Sequence, residues 1–149
     1  MRFIVESLWV GLGAFIGANA RYWFGVLARA THQEFPWPTL TINVLGSAAL
    51  GVFAAAALER GYPWHIRAFF AIGLCGGFTT FSAFSFEVID LVYRRSWKLA
   101  LVYALVSVIT CVGGCLLGGH LGRLAFGTTQ EGSPFAEPGE PPVNVLPKR

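Results

Sequence analysis

The stretch Gly73-Leu74-Cys75-Gly76-Gly77-Phe78-Thr79-Thr80-Phe81-Ser82-Ala83-Phe84-Ser85-Phe86-Glu87 decides how this chain is read. It sets three glycines, four hydroxyl side chains and four phenylalanines inside a segment otherwise apolar enough to cross a bilayer. In hydrocarbon every backbone N–H and C=O needs a partner. A Gly-Gly followed by two β-branched threonines is therefore tolerated only where freed backbone groups meet protein, water or an ion. The expectation is a helix broken in mid-span, one half ending near Gly76 and the other starting between Thr79 and Ser82. Carbonyls at the end of the first half suit a cation, and N–H groups at the start of the second suit an anion.

The sequence on either side supports a membrane setting. Of 149 residues 54% are hydrophobic and 13% charged, and mean hydropathy is +0.57; soluble domains carry about a quarter charged residues. The class expected is an all-α integral membrane protein. About 20 apolar residues span a bilayer core as a helix. Four segments meet this: roughly Phe3 to Ala28, Thr39 to Leu58, Ile66 to Tyr93 with the break inside it, and Leu99 to Phe126. Connections are short, with Pro36 and Pro38 expected to stop any helix before the second span and Gly61-Tyr62-Pro63 turning the chain after it. No separable signal peptide is expected, because the apolar run after Glu6 is too long for an h-region. Residues 1–126 are expected to form the four-helix membrane domain. Residues 127–149 hold five of the eight prolines and are expected to be a disordered Pro/Glu/Gly-rich tail. Cys75, Cys111 and Cys115 are odd in number and lie within apolar segments, which argues for reduced packing residues rather than a disulfide framework.

Lys and Arg near span ends set orientation, and here they nearly cancel. One side carries Arg2, Arg60, Arg67 and Arg123, with Lys148 and Arg149 further out; the other carries Arg29, Arg94, Arg95 and Lys98, with Arg21 in the nearer half of the first span. Such a chain can insert both ways, and two oppositely oriented copies can form an antiparallel pair. Gly13 and Gly17, Gly114 and Gly118, and Gly118 and Gly122 stand four apart, the spacing that lets helix backbones approach.

Several residues can carry chemistry. Phe78, Phe81 and Phe84 recur every three residues as an aromatic stripe, either lipid-facing filler or ring edges, which are electropositive, turned toward a small anion. Contact of that kind is weak enough to release what it binds, as conduction requires. Asn43 is nearly alone as a polar group in the second span; a buried amide needs partners, so its NH₂ either donates to an anion or ties two helices. Arg21 must snorkel, pair or face water, drawing anions into a vestibule or anchoring its helix. Glu87 either pairs with an arginine or lines water. Tyr103, Ser107, Cys111 and Cys115 are spaced by four along one face of the last span, hydroxyls first and weaker thiol donors after. Cys111 and Cys115 with His120 do not complete a tetrahedral metal set.

Together these residues resemble the CrcB/Fluc family of fluoride channels over about Leu12 to Leu124. The most specific piece is Gly-Gly-Phe-Thr-Thr-Phe-Ser-Ala-Phe-Ser-Phe-Glu at 76–87, supported by Gly17-Ala18-Asn19-Ala20-Arg21-Tyr22 and Thr39-Leu40-Thr41-Ile42-Asn43-Val44-Leu45-Gly46. The resemblance implies an antiparallel, dual-topology homodimer that exports fluoride passively across the bacterial cytoplasmic (inner) membrane and lowers its toxicity. It implies fluoride, membrane lipid and a second copy as partners, and no nucleic acid. It implies an anion path along Asn43, Phe81, Phe84, Ser82, Ser85, Tyr103 and Ser107, with Arg21 in a vestibule and Glu87 after the break. It also implies a structural Na⁺ on the dimer axis, held by the backbone carbonyls of Gly76 and Thr79. Ala83, where relatives often have threonine, and Cys111 and Cys115, where the polar track usually continues with hydroxyls, depart from the pattern.

Two other classes compete. A small four-span proton-coupled multidrug exporter needs an ionisable carboxylate near the middle of the first span, and Glu6 stands near its end. An intramembrane hydrolase would use Ser82 or Ser85 with His65 or His120 as base; no third residue is placed to orient that base, so the expectation is that the chain is not an enzyme.

Overall fold

The computed structural model describes residues 2–28 and 34–127, and all regular structure among them is helical. Helix α1 is Arg2–Ala28, α2 is Trp37–Arg60, α4 is Phe81–Tyr93 and α5 is Trp97–Phe126. The intervening α3, residues 64–78, joins one turn at Trp64–Arg67, a π-helical stretch at Ala68–Cys75 and a closing turn at Gly76–Phe78. Counting α3 and α4 as one interrupted span, four helical segments are long and apolar enough to cross a membrane. The expected tail at 128–149 lies outside the described residues.

The span ends follow local chemistry. Pro38 does not stop α2 but sits in its first turn, just after the N-cap Pro36. First-turn N–H groups have no helical acceptor, so proline loses nothing there and its fixed φ starts the helix. Gly61 closes α2 in the left-handed conformation, φ 58°, with the Tyr62 N–H donating to the Ala57 carbonyl at 3.2 Å, a glycine-dependent stop. Between α4 and α5 the turn passes through Arg95 at φ 60°, and the Ser96 N–H donates back to the Leu91 carbonyl at 2.9 Å.

The spans associate as two intimate pairs, α1 against α3 and α2 against α5. Both seams are made of glycine, because a missing Cβ is what lets two helix backbones touch where lipid supplies no hydrophobic drive. A Cβ on Gly17 would run into the Leu74 carbonyl, and one on Gly73 would lie 2.6 Å from the Val10 carbonyl oxygen. Across the other seam, a Cβ on Gly51 would strike the Cys115 carbonyl and one on Gly118 the Ala48 carbonyl. The expected spacing thus falls on the real contacts at Gly13, Gly17, Gly118 and Gly122, while Gly114 has ordinary clearance from Val44 at 3.4 Å. Near one end, α4 joins the α2–α5 pair through a small core of Leu40, Leu91, Ala100 and Tyr103, with Phe84 and Val88 packed on it.

Candidate functional site

The break falls one step later than the glycines suggest. Gly76 is still helical, φ −63° and ψ −37°, and the chain opens only at Thr79 (ψ 161°) and Thr80 (φ −152°, ψ 113°). Gly73 and Gly77 are needed for contact with α1, since a Cβ on Gly77 would lie 2.7 Å from the Ala14 carbonyl oxygen. The glycines therefore serve approach, and the threonines, whose branched side chains favour extended backbone, make the opening. Phe78 consequently stays with α3, and the expected three-ring stripe reduces to Phe81 and Phe84 on α4, ring centroids 5.4 Å apart.

Most of the backbone groups freed by the break are taken up by side chains. The Thr79 N–H and hydroxyl both donate to the Cys75 carbonyl, at 2.9 and 3.0 Å. The Arg21 Nε–H donates to the Gly77 carbonyl at 3.0 Å, placing a cation against the negative end of α3. The Asn43 amide lies along Thr80 as a second backbone would: its Oδ1 accepts the Thr80 N–H at 2.8 Å and its Nδ2 donates to the Thr80 carbonyl at 3.1 Å. The Thr80 hydroxyl then caps α4 by accepting the Ala83 N–H at 3.1 Å. The carbonyls of Gly76 and Thr79 receive no hydrogen bond among the described residues.

Below the break lies a cavity of about 290 Å³. Of the residues expected along an anion path, Asn43, Phe81, Phe84 and Ser107 line it. Ser82, Ser85 and Tyr103 do not. Ser82 shares a 3.2 Å contact with the Thr80 hydroxyl, and Ser85 donates to the Phe81 carbonyl at 2.9 Å. Tyr103 is wholly buried, and its hydroxyl donates a hydrogen bond to Glu87 Oε2 at 2.6 Å. The other carboxylate oxygen of Glu87 accepts the Thr39 hydroxyl at 2.6 Å, so among the described residues Glu87 pairs with two hydroxyls and not with an arginine. Glu87 also borders a second recess of about 280 Å³, shared with Glu34, Asp90 and Arg94. Arg21 borders neither space.

Sequence reading passed over one feature, which ties these contacts together. Thr39, Asn43 and Ser47 are four apart on α2 and so share one face. That face looks across to Tyr103, Ser107 and Cys111 on α5, and the break sits between the two stripes. Thr39 and Tyr103 meet at Glu87, Asn43 meets Thr80, and Ser47, Ser107 and Cys111 line the cavity. The spacing of α2 alone was the signal.

A small membrane protein of four helical spans, with a polar break in the third facing two polar stripes, is the class this fold and site define. The chain belongs to the CrcB family: residues 8–119 match the model described as CrcB-like protein, Camphor Resistance (CrcB). The fluoride-specific ion channel FluC of Paramagnetospirillum magneticum is 44% identical over 120 residues, covering 78% of this chain and 91% of that protein. The protein of the same name from Granulibacter bethesdensis is 48% identical over 122 residues, with 80% and 96% covered. That of Magnetococcus marinus is 42% identical over 125 residues, with 80% and 99% covered. With its four apolar spans and these relatives, the chain is a multi-pass bacterial membrane protein.

Proposed function

We propose that this chain is a fluoride channel, not an enzyme, that lets fluoride leave the cell passively through the cytoplasmic membrane and so lowers its toxicity. The observation that carries the reading is the cavity lined by Asn43, Phe81, Phe84 and Ser107, with Ser47, Thr79 and Thr80 beside them, which gathers an amide, several hydroxyls and two aromatic rings without a fixed charge. Fluoride is small and strongly hydrated, so a path must offer donors in place of water and release the ion again. The family membership and the relatives' names support fluoride as the ion. At the same helix start Ser82 is exposed and Ser85 half-buried, and Tyr103 acts through Glu87.

The working unit is an antiparallel, dual-topology homodimer, which the near-cancelling flanking charges favour. In that unit the carbonyls of Gly76 and Thr79 from each chain would hold a structural Na⁺. They fit the role: both accept no hydrogen bond among the described residues, and hard oxygen donors suit a hard cation. Such an ion would supply positive field beside the path.

The rival exporter wants a carboxylate midway along α1, and Glu6 stands in its second turn. Efflux from liposomes holding the purified protein separates the two. The channel reading expects fluoride to leave with no proton gradient and no drug present; no efflux above protein-free vesicles would overturn it. Labelling of single loop cysteines tests the dimer, since dual topology requires labelling from both sides.

A further inference from the structure

The resemblance puts Arg21 in a vestibule, yet it borders neither the cavity nor the second recess. It stands one turn after Gly17 and two after Gly13, on the face of α1 that lies against α3. There the seam changes character. Gly13 and Gly17 let backbones touch, whereas Arg21 reaches across with its Nε–H to the Gly77 carbonyl at 3.0 Å, in a half-buried setting. Asn19, two residues earlier, turns back to the Phe15 carbonyl of its own helix at 2.7 Å. The Gly77 carbonyl needs the donor from Arg21. In an unbroken helix it would accept the N–H of residue 81, but the chain opens at Thr79 and Thr80 before that turn can close. An arginine within a span pairs or reaches water, and backbone carbonyls are among its usual partners. On the far side of the opening Asn43, from α2, holds both backbone groups of Thr80. The opening is thus clamped from both helix pairs, at residue 77 by α1 and at residue 80 by α2. Gly76, Thr79 and Thr80, beside and between the clamps, line the cavity.

We propose that Arg21 is a positioning residue for the anion path: its Nε–H bond to Gly77, and not its charge, sets the backbone at the opening. The atom that makes the bond supplies the test. In glutamine the amide nitrogen stands as many bonds from Cα as Nε does in arginine, so Arg21→Gln keeps a donor in place without the charge. Arg21→Lys keeps the charge but carries its nitrogen one bond further out. A charge that steers anions ranks the lysine variant above the glutamine variant. A bond to Gly77 ranks them the other way. The effect on efflux rests on the channel reading; the bond itself does not.

The test uses the full chain in liposomes and reads the bond and the flux separately. Gly77-Phe78 is the only Gly-Phe pair in the sequence, so labelling glycine carbonyls with ¹³C and phenylalanine with ¹⁵N isolates the Gly77 carbonyl by solid-state NMR. Its signal is expected to move upfield in Arg21→Met, which has no donor, and to stay near the wild-type position in Arg21→Gln. Fluoride efflux should fall about tenfold in Arg21→Met, the weight of one hydrogen bond in the balance between backbone arrangements. It should stay within about threefold of the wild type in Arg21→Gln, since a neutral donor binds less strongly than a charged one, and should be lower in Arg21→Lys than in Arg21→Gln. Raising ionic strength should change all variants alike, because salt screens a steering charge but not a short bond. A Gly77 signal unmoved in the methionine variant, or lysine efflux at or above glutamine efflux, would overturn the positioning role. A gap between wild type and glutamine variant that closes as salt rises would do the same. The lysine and glutamine comparison does not need the methionine variant, so it decides even where that variant fails to fold. A wild type without efflux would count against the channel reading alone, because the Gly77 signal is read without flux.

Discussion

The two halves of the third span are held in place by different physics. Residues 64–78 are fixed by backbone proximity: Gly73 and Gly77 lie against Val10 and Ala14 of α1 so closely that no Cβ fits. Residues 81–93 are fixed by side-chain hydrogen bonds at their start and along one face, through Asn43, the Thr80 cap and the Glu87 carboxylate. Packing of the first kind is all-or-none, because a carbonyl cannot step aside without its helix. Bonding of the second kind can be altered one bond at a time. A span that must be rigid on one side and present donors on the other is served by dividing the two tasks at Thr79 and Thr80.

Breaking the rigid half should have the largest effect. Gly17→Ala places a methyl group on the Leu74 carbonyl, so α1 and α3 must part, at a cost of about 3 kcal/mol or more. Gly11→Ala, six residues earlier on the same helix with nothing within 4 Å, should change stability by less than about 0.5 kcal/mol. Thermal unfolding of both variants in detergent measures the difference. Equal loss in the two would mean that contact across the seam does not set stability at Gly17, because Gly→Ala raises helix propensity at both positions.

At the joint between the halves, Asn43→Ala leaves both the N–H and the C=O of Thr80 without partners. Each buried group left unpaired costs about 1–3 kcal/mol, and efflux should fall because the start of α4 loses its register. Asn43→Asp keeps an acceptor for the Thr80 N–H but sets a carboxylate oxygen against the Thr80 carbonyl. It should be destabilised as well and should also repel an anion from the cavity. Wild-type efflux and unfolding in the aspartate variant would show that the paired geometry is dispensable.

How far the sequence led depends on which of these two physical regimes a residue belongs to. Span ends were legible to within about two residues because hydropathy and proline position are local properties, although Pro38 lies in the first turn of α2 instead of preceding it. The glycine seams were legible because their spacing repeats. Period alone could not assign roles inside the break: Gly76-Gly77 looks like the weak point until Ala14 is known to lie against Gly77. Asn43 was picked out, but its partner Thr80 was not, since the two are brought together only when α2 crosses the break. Thr39 was missed although it stands one turn before Asn43. A lone threonine in a first turn usually needs no partner, and the Glu87 that gives it one is distant in sequence.

Within the hydrogen-bonded half, Tyr103→Phe removes one bond to the Glu87 carboxylate while keeping the ring packed on Phe35 and Phe84, at centroid distances of 5.3 Å in each case. A bond to a charged group contributes about 1.5–3 kcal/mol. The lower end is expected here, because the Thr39 hydroxyl still pairs with Glu87. Combining it with Thr39→Val should cost more than the two single changes summed, since the carboxylate then loses both donors; strict additivity in that cycle would mean the two hydroxyls do not act on one group.

The smallest effect on stability and the clearest on transport should come from Phe81→Ile. Phe81 is 77% exposed in the single chain and touches chiefly Phe84, so losing its ring should shift unfolding by less than about 0.5 kcal/mol. Yet the ring forms part of the cavity wall, and isoleucine has no electropositive edge to offer in its place. Efflux should therefore drop while unfolding and elution on a sizing column stay as in the wild type. Unchanged efflux would remove the ring edge from the path. Lost stability together with lost efflux would place Phe81 with the scaffold, and the division between the two halves of the span would then lie beyond Phe81 instead of at the threonines.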